Sequence, residues 1–385
     1  MTSLLRDRRH DTGVSNTELF FDLVYVLAVT ELSQFLRDQH SWAGILQAAV
    51  LLGMTWNAWV YTTWVTNWLA PDHRPTRLML LIVMAASLVF SAGITRAVDD
   101  RGLWIGCGYA FMQIGRSAYA VWAMRGDRLQ RNYLRILAWC VVGGSLAVAG
   151  GFATGAPRWA LFAAAVGVDV LGGVVQFWTP GLGRTPTSEW TVDGGHFAER
   201  CQAFVLIALG ESVVGIGAPL ISAESIDGRA VAGILGAFGG VVALFWLYFD
   251  RWAQRGVHVI EASDDPGRMA RAFHLVHPIL IAGIILVAAG EEEILHPLLT
   301  HGEHTAAPLA YTTWLCAGGA ALFALGHGAY VWVLSGRVPR LHLIAAALFV
   351  LIAALYRHPD PLTVGYLTGA LLVLLVLVDS VTDVR

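Results

Sequence analysis

Long blocks of apolar residues alternate with short polar segments along the whole chain of 385 residues. A helix needs about 20 mostly apolar residues to cross the hydrocarbon part of a bilayer. The pattern therefore predicts twelve membrane-spanning helices, near residues 17–37, 42–68, 77–97, 102–124, 132–154, 157–178, 194–217, 228–250, 268–290, 308–335, 340–357 and 362–381.

The composition supports this pattern, because 56% of the residues are hydrophobic, 14% are charged and the mean hydropathy is +0.60. These values differ strongly from those of a soluble domain and predict an all-α polytopic membrane protein surrounded by a lipid bilayer. The first apolar block follows Arg6, Arg8 and Arg9. It is too long and too charged for a cleaved signal peptide, so we expect it to remain as the first span.

The charged residues exclude several classes of function. A net charge of -3 gives no indication of a nucleic-acid partner. All 25 basic residues are arginine, which excludes a Schiff base with retinal or pyridoxal phosphate and a P-loop lysine. The acidic, histidine-rich segment 291–304 is predicted to be an external loop, and it has no motif that fixes a metal geometry. We therefore expect neither a cofactor nor a metal site.

The distribution of arginine predicts the orientation. If the N-terminus is cytoplasmic, 17 arginines lie on the cytoplasmic side, six on the outer side and two within spans. The positive-inside rule then favours an even number of spans with both termini in the cytoplasm.

The chain also shows weak internal similarity. The segment "GRSAYAVW" of the fourth span resembles "GHGAYVWV" of the tenth. We therefore expect two related six-helix halves, which would be parallel in the membrane because each has an even number of spans. The predicted division is an N-terminal segment 1–16, a first half 17–178, a connecting loop 179–193, a second half 194–381 and a tail 382–385.

The first span carries two acidic residues on one helical face. Glu18 and Asp22 are four residues apart, close to the predicted cytoplasmic end. Two neighbouring carboxylates repel, which favours either a proton on one of them or an arginine between them. Glu31 lies further along the same span and is more simply interpreted as a solvated helix end.

The seventh span also carries charged residues on one helical face. At 100 degrees per residue, His196, Arg200 and Glu211 fall on one stripe, with Glu199 beside it. Glu211 lies about 17 Å deeper than Arg200 at 1.5 Å per residue, so it is the deepest acidic residue that the pattern identifies.

A polar stripe on the fourth span supplies the second intramembrane cation. Tyr109, Gln113 and Arg116 follow helical spacing. His327 replaces Arg116 in the apparent repeat and is interpreted either as a core histidine or as a group that titrates near neutral pH. The pairings left open are Arg200 with Glu199, Glu18 or Asp22, and Arg116 with Asp22, Asp169 or Glu211.

These residues predict a buried charge network between the first, fourth and seventh spans, with two interpretations. Pairs of acids and arginines can simply fix the register of helices, with little net stabilisation. Titratable groups at stepped depths are also how proton relays and ion pathways are built. The excess of buried carboxylates over cations favours the second interpretation, because an unpaired carboxylate must be protonated or hydrated.

Four segments resemble the low temperature requirement protein A family of bacterial membrane proteins. They are "TELFFDLVYVLAVTELSQFL", "WNAWVYTTWVTNWL", "GRTPTSEWTVDGGHFAER" and "LIALGESVVGIG". The resemblance implies a location in the bacterial inner membrane and a link to growth at low temperature. The positions of this chain that match the family's signature are Glu18, Phe20, Phe21, Asp22, His196, Glu199, Arg200, Gly210 and Glu211.

The sequence therefore predicts a secondary transporter or channel-like permease for an unknown small solute or ion, with protons as one candidate. In this hypothesis, a cytoplasmic gate contains Glu18, Asp22, Glu199 and Arg200, and Glu211 with Arg116 forms a deeper site. The alternative is a non-transporting structural or lipid-binding protein for growth in the cold. A membrane enzyme using His196, Glu199 and Arg200 is a weaker interpretation, because we find no nucleophile or nucleotide-binding motif in the sequence.

Overall fold

The computed structural model describes residues 4–6, 13–221, 223, 226–300, 307–358 and 360–382. The predicted tail 382–385 lies beyond this range except for its first residue. Residues 301–306, which include the end of the predicted acidic loop, also lie outside it.

The described part of the chain is helical, as the apolar pattern predicts. Each predicted span coincides with a helix, and one short amphipathic helix, α9, adds to them. The helix α11 continues through the π-helical turn Trp314–Gly318 into α12. The helices are α1 (Asn16–Gln39), α2 (Trp42–Trp68), α3 (Arg74–Ser91), α4 (Gly102–Ala123), α5 (Arg128–Phe152), α6 (Gly155–Val174), α7 (Gly194–Ile221), α8 (Gly228–Phe249), α9 (Trp252–Glu261), α10 (Pro266–Thr300), α11 (Leu309–Thr313), α12 (Gly319–Ser335), α13 (Arg340–Leu355) and α14 (Pro361–Thr382).

Within the described residues, ten helical stretches are long and apolar enough to cross a membrane. Two of the twelve predicted spans are not among them. The 22-residue α4 is long enough, but it carries the polar stripe of Gln113, Arg116 and Ser117, and α13 has only 16 residues. The protein is therefore a multi-pass helical membrane protein, while the number of twelve crossings stays a prediction.

The chain forms two compact units. The first comprises the described parts of Met1–Phe35, Leu46–Phe204 and Val257–His274, and the second those of Leu36–Ile45, Val205–Gly256 and Leu275–Arg385. The chain therefore passes between the units within α1, α2, α7, α9 and α10. The internal repeat, the predicted division into halves and the cytoplasmic position of the termini stay predictions.

The helix α2 lies at the centre of the first unit. Every residue from Met54 to Ala70 is buried, which is the behaviour of a helix that is surrounded by protein on all sides. Trp56 contacts Phe204, and Trp64 contacts Phe197, so aromatic side chains join α2 to the first half of α7.

Small residues allow the neighbouring helices to approach closely. A Cβ atom on Gly106 of α4 would lie 2.3 Å from the carbonyl oxygen of Ala147 on α5. In the second unit, a Cβ on Gly283 of α10 would lie 2.5 Å from the backbone nitrogen of Phe323 on α12. Such close approach is typical of helix pairs in membranes, where packing replaces the hydrophobic driving force.

Candidate functional site

A buried ion cluster joins α1 and α7 in the first unit. Arg200 donates to both oxygens of Asp22, from Nε at 3.0 Å and from Nη2 at 2.6 Å. Its Nη1 donates to Glu18 Oε1 at 2.9 Å, and His196 Nε2 lies 2.9 Å from the same oxygen. We call Glu18, Asp22, His196 and Arg200 the Arg200 cluster. Of the two alternatives predicted for the acids of the first span, a bound proton or an arginine between them, the structure shows the arginine.

Further polar groups complete the bonding of both carboxylates. Ser15 and Glu18 form a capping box at the start of α1, because the Ser15 backbone nitrogen donates to Glu18 Oε2 at 3.0 Å and the Glu18 backbone nitrogen donates to Ser15 Oγ at 3.3 Å. The Ser15 hydroxyl also lies 3.0 Å from Glu18 Oε2 and donates to it. Arg6 Nη2 lies 3.7 Å from the same oxygen. On the other side, Trp59 Nε1 of α2 donates to Asp22 Oδ1 at 2.6 Å. Each of the four carboxylate oxygens therefore accepts a hydrogen bond from a described residue.

Glu199 does not join this cluster. Its side chain is exposed, whereas that of Arg200 is fully buried. The two side chains point about 100 degrees apart on α7, and that of Arg200 turns toward α1 and α2. Of the three partners left open for Arg200, the structure shows Glu18 and Asp22 and not Glu199.

A second buried polar group extends from α6 to α4. Gln113 Nε2 donates to Asp169 Oδ2 at 2.7 Å, and the Tyr109 hydroxyl donates to the same oxygen. Gln113 Oε1 in turn accepts from Arg116 Nη2 at 2.7 Å. We call Tyr109, Asp169, Gln113 and Arg116 the Asp169 chain. The predicted polar stripe of α4 is confirmed as one connected unit.

The amide of Gln113 separates the two charges of this chain. Within the described residues of the first unit, no carboxylate lies at ion-pair distance from Arg116. Its Nη1 instead donates to the Ala58 carbonyl at 3.2 Å and to Thr62 Oγ1 at 3.3 Å. Two atoms of the chain, Asp169 Oδ1 and Arg116 Nε, are buried with no hydrogen-bond partner among the described residues. The Asp169 chain therefore contains two buried polar atoms whose hydrogen bonds are not made by the described residues.

The helix α2 contacts both buried groups. Thr62 accepts from Arg116, while Thr66 Oγ1, one turn further along, lies 3.4 Å from Arg200 Nη1. Trp59 adds its bond to Asp22. A movement of α2 would therefore change the bonding of both groups.

The second unit holds a separate set of acids. Glu211 is buried on α7, and a Cβ on Gly215, one turn later, would lie 3.2 Å from Glu292 Oε2. Glu292 pairs with Arg37 at 2.9 Å, and Glu293 pairs with His40 at 3.1 Å. The prediction that segment 291–304 is an external loop is wrong over its first part, because α10 continues to Thr300.

The two remaining candidates also have defined partners. Glu31 is half-buried, and its carboxylate accepts from the Thr95 hydroxyl, so it is bonded to a neighbour as well as partly solvated. His327 is fully buried, and its Nδ1 lies 2.8 Å from His342 Nε2. His342 in turn lies 4.0 Å from Asp379. The sequence interpretation missed His342 and Asp379, although each is a polar residue within an apolar block and could have been found by that signal.

Comparisons with known proteins agree with the helical membrane architecture. A family model described as "Bacterial low temperature requirement A protein (LtrA)" matches residues 13–378. A protein of Rhizobium meliloti (strain 1021), described as "Uncharacterized protein RA0937", is 33% identical over 298 residues. That match covers 76% of this chain and 73% of the relative. No solved structure matches the chain.

Proposed function

The chain belongs to the bacterial low temperature requirement A (LtrA) family, and we propose that it is a secondary transporter or channel-like permease that moves protons or a proton-coupled solute. We place it in the bacterial inner membrane, with both termini in the cytoplasm, because the arginine distribution favours that orientation.

The single observation that carries the proposal is the incomplete bonding of the Asp169 chain. A buried pair that only fixes helix register brings the carboxylate and the guanidinium into direct contact, as Asp22 and Arg200 do. In the Asp169 chain, Gln113 holds the two charges apart, and each retains one unpartnered polar atom. A carboxylate inside a membrane costs about 2.5–3.5 kcal/mol on insertion scales, so such an arrangement favours a functional role.

Asp169 is the proton-binding group in this proposal. Its Oδ2 accepts from Tyr109 and Gln113, which leaves Oδ1 to take up and release a proton. Arg116 balances the charge of the ionised carboxylate through the Gln113 amide. Loss or gain of the proton changes the charge that Arg116 experiences, and Arg116 is bonded to α2 through Ala58 and Thr62.

The Arg200 cluster has a supporting role in this proposal. It holds α1 and the start of α7 against α2, because Trp59 and Thr66 of α2 contribute to it. A gate at this cluster would have to separate Arg200 from Asp22 during transport, at the cost of exposing buried charges.

The test is proton flux in proteoliposomes that contain the full chain and an internal pH-sensitive dye. We expect an imposed pH gradient to dissipate faster than in empty vesicles, with a potassium ionophore present to remove the membrane potential. Asp169→Asn keeps the size of the side chain but removes its titration, and should abolish this difference.

Asp100→Asn is the matched control, because Asp100 is exposed and pairs with Arg96 on the surface at 2.9 Å. It should leave the flux unchanged. If Asp169→Asn folds normally and transports protons like the wild type, Asp169 is not the proton-binding group.

A second candidate function is a non-transporting structural or lipid-binding protein. The complete bonding of the Arg200 cluster favours it, because this arrangement serves helix register without any motion. Copurified lipid and association that depends on temperature, with no flux under any gradient of protons or ions, would support this candidate over the permease.

A further inference from the structure

Three consecutive glutamates of α10 differ in their partners. Glu292 pairs with Arg37 at 2.9 Å, and Glu293 pairs with His40 at 3.1 Å. Glu291 forms no ion pair with a residue that the structure describes, and its Oε2 is buried without a hydrogen-bond partner among those residues. Within the described part of the second unit, nothing therefore balances a charge on Glu291.

The carboxyl group of Glu291 lies against the middle of α8. A Cβ atom on Gly240 would lie 2.9 Å from Glu291 Oε1, so this glycine leaves the space that the carboxyl group occupies. Gly240 is 12 residues after the first residue of α8 and nine before the last, which corresponds to about 18 Å and 14 Å. The middle of a spanning helix lies in the hydrocarbon part of the bilayer. The carboxyl group is therefore far from both aqueous phases.

The surroundings of this carboxyl group are apolar. It borders a cavity of about 20 Å³, which glycine, alanine, leucine and isoleucine residues of α8, α10 and α14 line. The space admits about one water molecule. The titratable side chains near it are Tyr366 of α14 and Cys316 of the π-helical turn, while α8 contributes none to the cavity. Neither a phenol nor a thiol is charged at neutral pH in such surroundings.

Two ways of balancing the carboxylate charge remain. An unpaired carboxylate in an apolar interior is so costly that the group takes up a proton instead. A metal ion could also balance the charge, but such ions need several oxygen ligands. Among the residues that line the cavity, Tyr366 alone offers a side-chain oxygen besides those of Glu291. The surroundings therefore favour a proton.

We propose that Glu291 is a proton-binding site of the second unit, which holds its proton at neutral pH and exchanges it with water through the adjoining cavity. The site is separate from Asp169, which belongs to the first unit. Its role as a second carboxyl group used in proton transport rests on the proposed function. Proton binding itself rests on the burial and surroundings of Glu291.

The test is infrared difference spectroscopy of the full chain in lipid vesicles at neutral pH, with the wild type compared to Glu291→Gln. A protonated carboxyl group has a C=O stretching band that an ionised carboxylate lacks. We expect the wild type to show an acid band that Glu291→Gln loses. The band should shift on transfer into D2O, because the bound proton is exchanged for deuterium.

Glu293→Gln is the matched control, because it makes the same change two residues away at a side chain that pairs with His40. It should remove carboxylate bands and leave the acid band unchanged.

Two neighbouring glycines of α8 test the position of the carboxyl group. Gly240→Ala would place a Cβ 2.9 Å from Glu291 Oε1, so the carboxyl group has to move and its acid band should shift. Gly239→Ala is the matched control, because its Cβ would meet nothing within 4 Å. It should leave the acid band in place.

Several outcomes overturn the inference. An acid band that survives in Glu291→Gln, that Glu293→Gln also removes, that does not shift in D2O, or that is the same in both glycine variants would each do so. A band that disappears when sodium replaces choline in the buffer would show that a metal ion occupies the site instead. An acid band from Glu291 without any proton flux would support this site and contradict the permease. Proton flux that depends on Asp169, with no acid band from Glu291, would contradict this inference alone.

Discussion

Arg200 and Asp22 form a two-pronged ion pair, in which Nε and Nη2 of the guanidinium donate to the two carboxylate oxygens at 3.0 and 2.6 Å. Both side chains are almost completely buried. This geometry matches the planar fork of arginine to the planar carboxylate, which lysine cannot reproduce. It fixes the position of α1 relative to the first part of α7 within the first unit.

We expect Arg200→Gln to destabilise the protein by about 3–5 kcal/mol, because it leaves two buried carboxylates without their shared cation. Reversible unfolding in detergent micelles, followed by tryptophan fluorescence, measures this change. Arg77→Gln is the control, since Arg77 pairs with Asp72 at 3.0 Å with both side chains well exposed. That change should stay within about 1 kcal/mol. Equal losses in the two variants would mean that burial adds nothing to the Arg200 pair.

The indole N–H of Trp59 should matter separately from its ring. Trp59→Phe keeps an aromatic side chain against Phe204 but removes the donor to Asp22 Oδ1, which lies 2.6 Å away. A hydrogen bond to a charged group contributes about 1.5–3 kcal/mol, so we expect a loss of that size. The same unfolding experiment measures it, with Trp104→Phe as a control because Trp104 is 45% exposed.

The substitution of Trp59 also allows a test of its coupling to Asp22. Trp59→Phe should cost much less when Asp22→Asn is already present, because the acceptor is then no longer charged. Additive losses in the double variant would show that Trp59 stabilises the fold through its ring alone.

Much of the candidate site could be predicted from the spacing of polar residues within single helices. Glu18 and Asp22 lie four residues apart, as do Tyr109 and Gln113, and such residues share a helix face in any structure. The pairing of Arg200 with the acids of α1 followed from the need of buried carboxylates for a cation. Local geometry and the cost of burying charge therefore made this part of the site predictable.

The sequence was least informative where contacts between different helices decide which side chains are buried or paired. The sequence left Glu199 open as a partner of Arg200, but the packing of α7 leaves Glu199 exposed and buries Arg200. The run Glu291–Glu293 has the composition of a solvated loop, yet Arg37 and His40 pair with it and α10 continues through it. The amide bridge between Asp169 and Arg116 depends on the packing of α4 against α6, which spacing within one helix does not encode.

Two glycines of α4 should respond differently to the same substitution. Gly106→Ala would place a Cβ at 2.3 Å from the Ala147 carbonyl oxygen and force α4 and α5 apart. We expect it to destabilise the protein by about 1–3 kcal/mol, the usual cost of overpacking. Gly115→Ala is the matched control, because its Cβ would meet nothing closer than a Phe111 ring carbon at 4.0 Å.

The control should be neutral or slightly stabilising, since alanine favours helix over glycine. Thermal melting of both variants in the same detergent gives the comparison. A Gly106→Ala variant that melts like Gly115→Ala would mean that α4 and α5 can separate without cost.

Gln113 should connect the proton-binding carboxylate to Arg116 in function as well as in structure. Gln113→Leu removes the donor to Asp169 Oδ2 and the acceptor for Arg116 Nη2, both at 2.7 Å, while the side chain stays similar in length. Its proton flux in proteoliposomes should fall by at least about tenfold. A charge-assisted hydrogen bond contributes about 1.5 kcal/mol or more, and 1.36 kcal/mol corresponds to a factor of ten in rate.

Gln130→Leu is the control, since Gln130 bonds the exposed backbone nitrogen of Gly126 at 3.2 Å and should leave the flux unchanged. A Gln113→Leu protein that is folded, inserted and as active as this control would mean that Asp169 and Arg116 act independently, and the Asp169 chain would then be only a device for packing α4 against α6.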